Sequence, residues 1–418
     1  MNKNIFKSVR KIYKNITNSI AFIPGTVAFA FLVLSFFMVQ FDFSDAGKEI
    51  KSNAHWLTLK DASTARTIIS TITGGIISLT VFSFSMVMIL LNQAASQMSN
   101  RILDKLIGNR FQQTILGFYI GTIVYALFLL STIRDINSGI YVPAISTYFL
   151  IALTVVDIFL FIYFLHYVTQ SVKYDTIIHR IYDAACHSLK ENCISEDISN
   201  PSFSVNDYFP INAYKSGIFQ GFLRDGLLRI CEKEDMIISF NYPIGTFVIQ
   251  DTPLLRINRD KISEDLLDEI NSFIDIHRGQ NIDSSYHYGL RQLMEVAIRA
   301  LSPGINDPGT AVLSLQSLSQ LLAFRLKNNP SNQIKDESGF VRIITKERSF
   351  TDLFNEYIYP IWDYGKDDRL LINEMHHILI QLQELNDTQA IRELLVVVKD
   401  AKIKKNFHAA SDKNQTDR

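Results

Sequence analysis

Long apolar runs separated by short charged stretches fill roughly the first 170 residues, and shorter apolar segments with polar turns fill the rest. Runs at 20–41, 65–91, 114–133 and 141–168 each reach the roughly 20 residues a helix needs to cross a hydrocarbon core, and predict four transmembrane helices. The second run is unusual. Thr71, Ser78, Ser85, Asn92 and Ser99 recur at every seventh position, near one helical face. Thr67, Gly74, Gly75 and Ser96 widen that stripe, and Val81, Phe82, Met88 and Ile89 sit between its polar steps. In one reading the face lines a water-filled path in a homo-oligomer, with the four apolar residues as gate rings that close by dewetting. In the other, small residues let helices approach and share hydrogen bonds.

Gly117 and Gly121 give the third run a small-xxx-small packing face. Asp157 lies near the middle of the fourth, either as a functional intramembrane acid or as a neutral one joining helices through Ser, Thr or Tyr. His166, near the end of that run, reads as an interfacial or packing histidine, with a proton relay as the alternative. The first 18 residues hold Lys3, Lys7, Arg10, Lys11 and Lys14 and no acid. With Arg101, Lys105 and Arg110 after the second run and Lys173 and Arg180 after the fourth, they predict cytoplasmic N- and C-termini. The first run is too long for a signal-peptide core and lacks a small-residue cleavage site. Residues 42–65 read as a loop with Trp56 at the interface.

Residues 170–192 read as a helix prolonging the fourth span, and 194–212 as a loop. Strands at 216–222, 236–241, 246–250 and 254–257, around a helix at 225–233, predict a small antiparallel sheet or half-barrel. Ser263 caps a helix to 272, followed by a strand at 273–277. A helix at 285–301 carries Arg291, Glu295 and Arg299 at spacings of four. SPGINDPGT interrupts it, and Asp307-Pro308 reads as a cap and first-turn pair opening a helix to 327. A polar loop at 328–338, a strand at 341–346, helices at 350–364, 367–385 and 388–402 and a disordered tail, 406–418, complete the chain. The expected fold is mostly α. A basic N-terminus, 1–19, precedes a four-helix transmembrane domain, 20–169. A cytoplasmic α+β domain with a small antiparallel sheet follows, 170–405.

A net charge of −1 removes bulk attraction to nucleic acid, and three cysteines make no disulfide framework. No phosphate loop, nucleophile elbow or paired-cysteine motif occurs. Cys186-His187 with Cys193 lacks a second metal-binding pair, and His376-His377 diverge by about 100° on a helix. No catalytic residue, metal or cofactor is expected; Glu295, Arg299 and Asp307 are the sole candidates for chemistry. The loop holding Ser302, Asn306 and Asp307 could bind an anion at a helix N-terminus, or Asp307 could fill that cap itself.

Two stretches resemble a bacterial family of predicted membrane proteins, domain of unknown function 2254. One carries Gln93, Ser96, Gln97, Ser99, Arg101, Gln113, Leu116, Gly117, Phe118 and Tyr125 at matching positions. The other is ALSPGINDPGTA, residues 300–311, which departs at Gly309, where the resemblance implies a bulky residue. The likeness extends over SGIFQGF and PIGTFVIQDTPL. It implies a membrane half followed by a cytoplasmic domain, and no activity. The combined expectation is an oligomeric channel or transporter-like protein of the bacterial inner membrane, partnered by lipid, by its own copies and by a small ion or solute. The alternative is a membrane-anchored scaffold or ligand sensor.

Overall fold

A computed structural model describes residues 19, 21–53, 59, 61–97, 110–133, 142–171, 173–193, 208–277 and 285–416. The basic N-terminal segment, Trp56, Ser99 and Arg101 lie outside them. The chain divides into two compact units, the first reaching Lys173 and the second beginning at Tyr174.

The first unit holds α1 (Phe22–Phe43), α2 (Asp45–Asn53), α3 (Ala62–Gln97), α4 (Arg110–Thr132) and α5 (Ala144–Ser171). All but α2 are long and apolar enough to cross a membrane. Glycine brings α1 and α4 together: a Cβ on Gly117 would stand 3.1 Å from Val27 Cβ, and one on Gly121 2.7 Å from the Phe31 ring. Phe31 and Phe118 meet edge to face at 5.7 Å. Gly121→Val should therefore cost the unit about 1–3 kcal/mol. Gly25→Val, where a Cβ meets nothing within 4 Å, should leave it within about 0.5 kcal/mol in detergent melts followed by circular dichroism.

The expected loop at 42–65 contains α2, whose register serves Asp42 at the end of α1. Asp42 is fully buried. One carboxylate oxygen meets Lys51 Nζ at 2.9 Å and the other accepts the Ser146 N–H at 2.7 Å, in the first turn of α5. One acid thus neutralises a lysine and satisfies an otherwise orphaned helix-terminal donor. Gly47 is required where α2 turns against α1, because a Cβ there would stand 2.2 Å from the Phe41 carbonyl oxygen.

In the second unit, α6 (Tyr174–Asn192) is a separate helix, not a continuation of α5. It packs on α9 (Tyr286–Ala300) and α10 (Pro308–Lys327), with α13 (Arg369–Leu385) against α10 and α14 (Gln389–Thr416) against α13. The helix expected at 350–364 is two, α11 (Phe350–Tyr357) and α12 (Tyr359–Gly365), because Pro360 brings no N–H to continue the ladder. Helix α14 runs as far as Thr416, into the stretch expected as a tail.

The β layer holds β1 (Phe209–Asn212), β2 (Gly217–Phe222), β3 (Ile238–Phe240), β4 (Phe247–Val248), β5 (Pro253–Ile257), β6 (Ile274–His277), β7 (Gln333–Lys335) and β8 (Val341–Ile344). They form two sheets, ordered β1-β5-β3-β8-β7 and β4-β2-β6. The first is mixed, because β3 and β8 run parallel. Strands β1 and β7 fall where loops are expected; each is short and is completed by a distant partner. One core, including Phe219, Ile238, Leu255, Ile276 and Ile343, joins both sheets to α7 (Arg224–Lys233) and α8 (Glu264–Phe273).

Candidate functional site

Helix α3 buries one line of residues: Ala65, Ile69, Thr73, Ile76 and Ser83. At 100° per residue the polar stripe falls on the opposite side. Thr71, Ser78, Ser85 and Asn92 are all exposed in the single chain. A Cβ on Gly74 or Gly75 would meet nothing within 4 Å. Thr71 and Ser78 bond back to the carbonyls of Thr67 and Gly74, at 2.8 and 2.9 Å. The gate candidates Val81, Phe82, Met88 and Ile89 are likewise exposed, at 60, 54, 44 and 61%. Phe82 rests edge-on against Phe161 of α5, at 5.9 Å.

Asp157 faces inward and is only 1% exposed. Thr122 of α4 faces it, and Tyr119, one helical turn away, stands in its field and faces Ser83 of α3. These are the residue types expected of a helix-joining acid. Yet these pairings are loose: at close hydrogen-bonding geometry Ser83 Oγ, Tyr119 Oη, Thr122 Oγ1 and both Asp157 oxygens find no partner among the described residues. His166 is exposed.

In the loop between α9 and α10, the N–H groups of Ile305 and Asn306 donate to the Ser302 carbonyl, at 3.0 and 2.9 Å. Asn306 takes a left-handed conformation, φ +49°. Asp307 occupies the α10 N-terminus itself, accepting from Thr310 N–H at 3.1 Å and from Thr310 Oγ1 at 2.6 Å. Its neighbours include Tyr174, whose hydroxyl is pushed up by burial and by the charge of Asp307, against Arg299. Gly309 is exposed, with Asp307 Oδ1 3.4 Å from a Cβ position, so a larger residue there meets ordinary contact.

The family described as "Predicted membrane protein (DUF2254)" matches residues 17–381. The chain belongs to that family. The DUF2254 chain is 24% identical over 332 residues to an uncharacterized protein of Mycobacterium tuberculosis, Rv1290c, covering 75% of this chain and 63% of the relative. It shows the same identity and coverage with the uncharacterized protein Mb1321c of Mycobacterium bovis. It thus spans less than two thirds of the curated relatives it matches. No solved structure matches it. In the DUF2254 fold the matching α4 positions are packing residues: Gln113 and Gly117 are buried, and the Tyr125 hydroxyl donates to the Ser146 carbonyl at 3.2 Å.

The second unit of the DUF2254 chain also carries a buried charged group that the sequence pattern does not single out. Arg325 on α10 is 4% exposed and donates to the Asn328 carbonyl, Asn329 Oδ1 and the Arg348 carbonyl, at 3.2, 2.6 and 3.0 Å. Glu347 is pushed up to about 7 by burial, against the pull of the Arg325 and Arg348 charges. His287 is pushed down to about 3 by burial and then by Arg348 and Arg325. Arg325 Nε, Tyr286 Oη and His287 Nδ1 make no close hydrogen bond among the described residues, and Tyr286 turns loosely toward Arg325. The one sequence signal for this cluster is His287 on the buried face of an amphipathic helix. Cys193, with its thiol on the Asn328 carbonyl at 3.7 Å, is a buried structural cysteine. Among the described residues no group of three or more His, Cys, Asp and Glu is placed to hold a metal ion.

Proposed function

We propose that this chain is a subunit of an oligomeric ion channel or transporter-like protein of the bacterial inner membrane, with both termini cytoplasmic. Its second span, α3, lines the path, and the second unit gates or assembles it. The observation supporting this reading is the direction of the stripe. Its hydroxyls, Asn92 and the two open glycines face away from their own bundle, where copies of the chain can gather them about a shared axis. A stripe serving only to pack helices within one chain would lie on the buried side. The test is ion flux in proteoliposomes. Flux is expected to rise in Phe82→Ala, which opens the apolar constriction, and to fall in Ser85→Leu, which removes a hydroxyl ring.

The second reading is a membrane-anchored scaffold or ligand sensor without conduction. The buried cluster of Arg325, Glu347 and His287, in which His287 Nδ1 makes no close hydrogen bond among the described residues, supports it. Absence of flux from the native chain and both variants, in several salts and at both pH extremes, would select it.

A further inference from the structure

We propose that Ser83, Tyr119, Thr122 and Asp157 form a binding site for a small dehydrated monovalent cation, for which the proton competes. This goes beyond the proposed function and does not require conduction: Ser83 lies on the buried side of α3, opposite the stripe. Four side chains from three spans meet there, none more than 3% exposed, and they present five oxygens that make no close hydrogen bond among the described residues, only the loose Thr122–Asp157 and Ser83–Tyr119 pairings. The hydroxyls are unusual for these helices. Thr73, Thr80 and Thr154 each satisfy themselves on the carbonyl four residues back, at 2.7, 2.7 and 2.8 Å. Ser83 and Thr122 do not; they turn toward Tyr119 and Asp157 without closing a tight bond, which leaves oxygen lone pairs for a bound ion.

The charge is equally uncompensated. Among the described residues no basic side chain acts on Asp157. A lone carboxylate in a low-dielectric interior is costly, and it is retained where a positive charge joins it. One carboxylate fixes that charge at a single unit. An all-oxygen set favours a hard cation, sodium or lithium, over a soft one. Hydroxyl dipoles from α3 and α4 would complete the coordination that the carboxylate on α5 begins.

The test uses the purified full-length chain in detergent micelles and dicyclohexylcarbodiimide, which modifies protonated carboxyls in apolar surroundings. Modification of Asp157 is read by peptide mass spectrometry. Sodium chloride is expected to slow it dose-dependently, and choline chloride at equal ionic strength is not. Thr122→Val should raise the sodium concentration for half-protection by at least about fivefold. Ser83→Ala, milder in packing, should shift it the same way, and Asp157→Asn should abolish labelling of that peptide. Equal labelling rates in sodium, lithium and choline would overturn the proposal and leave an acid that binds only a proton. Complete resistance to the reagent in choline would also overturn it. Sodium protection and proteoliposome flux can each fail alone, so loss of one reading does not conceal the other.

Discussion

Asp42→Ala is expected to cost the membrane unit about 3–5 kcal/mol, the usual consequence of removing one partner of a buried ion pair. Two losses combine. The Lys51 ammonium, on a side chain only 14% exposed, loses the carboxylate 2.9 Å away. The Ser146 N–H at the start of α5 loses an acceptor at 2.7 Å. Asp42→Asn retains an oxygen for Ser146 and should cost less. Lys51→Met should be severe, because it leaves a carboxylate in a site with no solvent exposure. The double variant Asp42→Asn/Lys51→Met should recover part of either single loss, giving a coupling energy of about 1–3 kcal/mol in a double-mutant cycle. Thermal melts in one detergent give all four stabilities. Strict additivity would show that the pair does not hold α1, α2 and α5 together.

Glu347→Gln is expected to turn a nearly flat pH dependence of the second unit into a steep one. The Glu347 carboxyl titrates at about 7 in the folded chain, above the ordinary 4.5. The folded state therefore keeps a proton that the unfolded state has lost, and this contribution falls as pH rises from 4.5 to 7. His287 acts in the opposite sense. Its folded value of about 3 lies below the ordinary 6.5, so its contribution is lost as pH falls from 6.5 towards 3. Between these limits the slopes oppose. Removing Glu347 leaves the histidine slope, and stability of the variant should rise with pH by up to ~1.4 kcal/mol per pH unit. The chain has two tryptophans, so Trp56→Phe leaves buried Trp362 as sole reporter for urea midpoints across pH 4.5–6.5. Flat profiles in both proteins would refute the pairing of the two groups.

What could be read before the structure was local. The four apolar runs, the glycines of α4, the Ser263 cap and the Asp307 cap each depend on residues within a few positions. What could not be read depends on distant pairing. Asp42 looks like one acid in a mixed loop until α2 folds Lys51 back and the start of α5, a hundred positions on, supplies its N–H. Strand β7 looks like part of a polar loop, and pairing of Ile334 with Ile343 makes it a strand. Arg325, Glu347 and His287 stand on separate elements, and no spacing links them. The stripe on α3 was visible as a period, but its direction followed only from knowing that Ala65, Ile69 and Ile76 point inward.

The parallel pairing of β3 with β8 also sets an order of events during synthesis. The three-stranded sheet is complete once His277 has emerged from the ribosome. The five-stranded sheet is not: Ile238 must wait for Ile343, with all of α9 and α10 made in between. Until then β3 keeps an edge without its neighbour, and closing so long a loop is slow relative to local helix formation. Nascent chains stalled just after α10 should therefore expose β3 to proteases and to binders of unpaired strands. Chains stalled far enough beyond Ile344 for β8 to clear the exit tunnel should not.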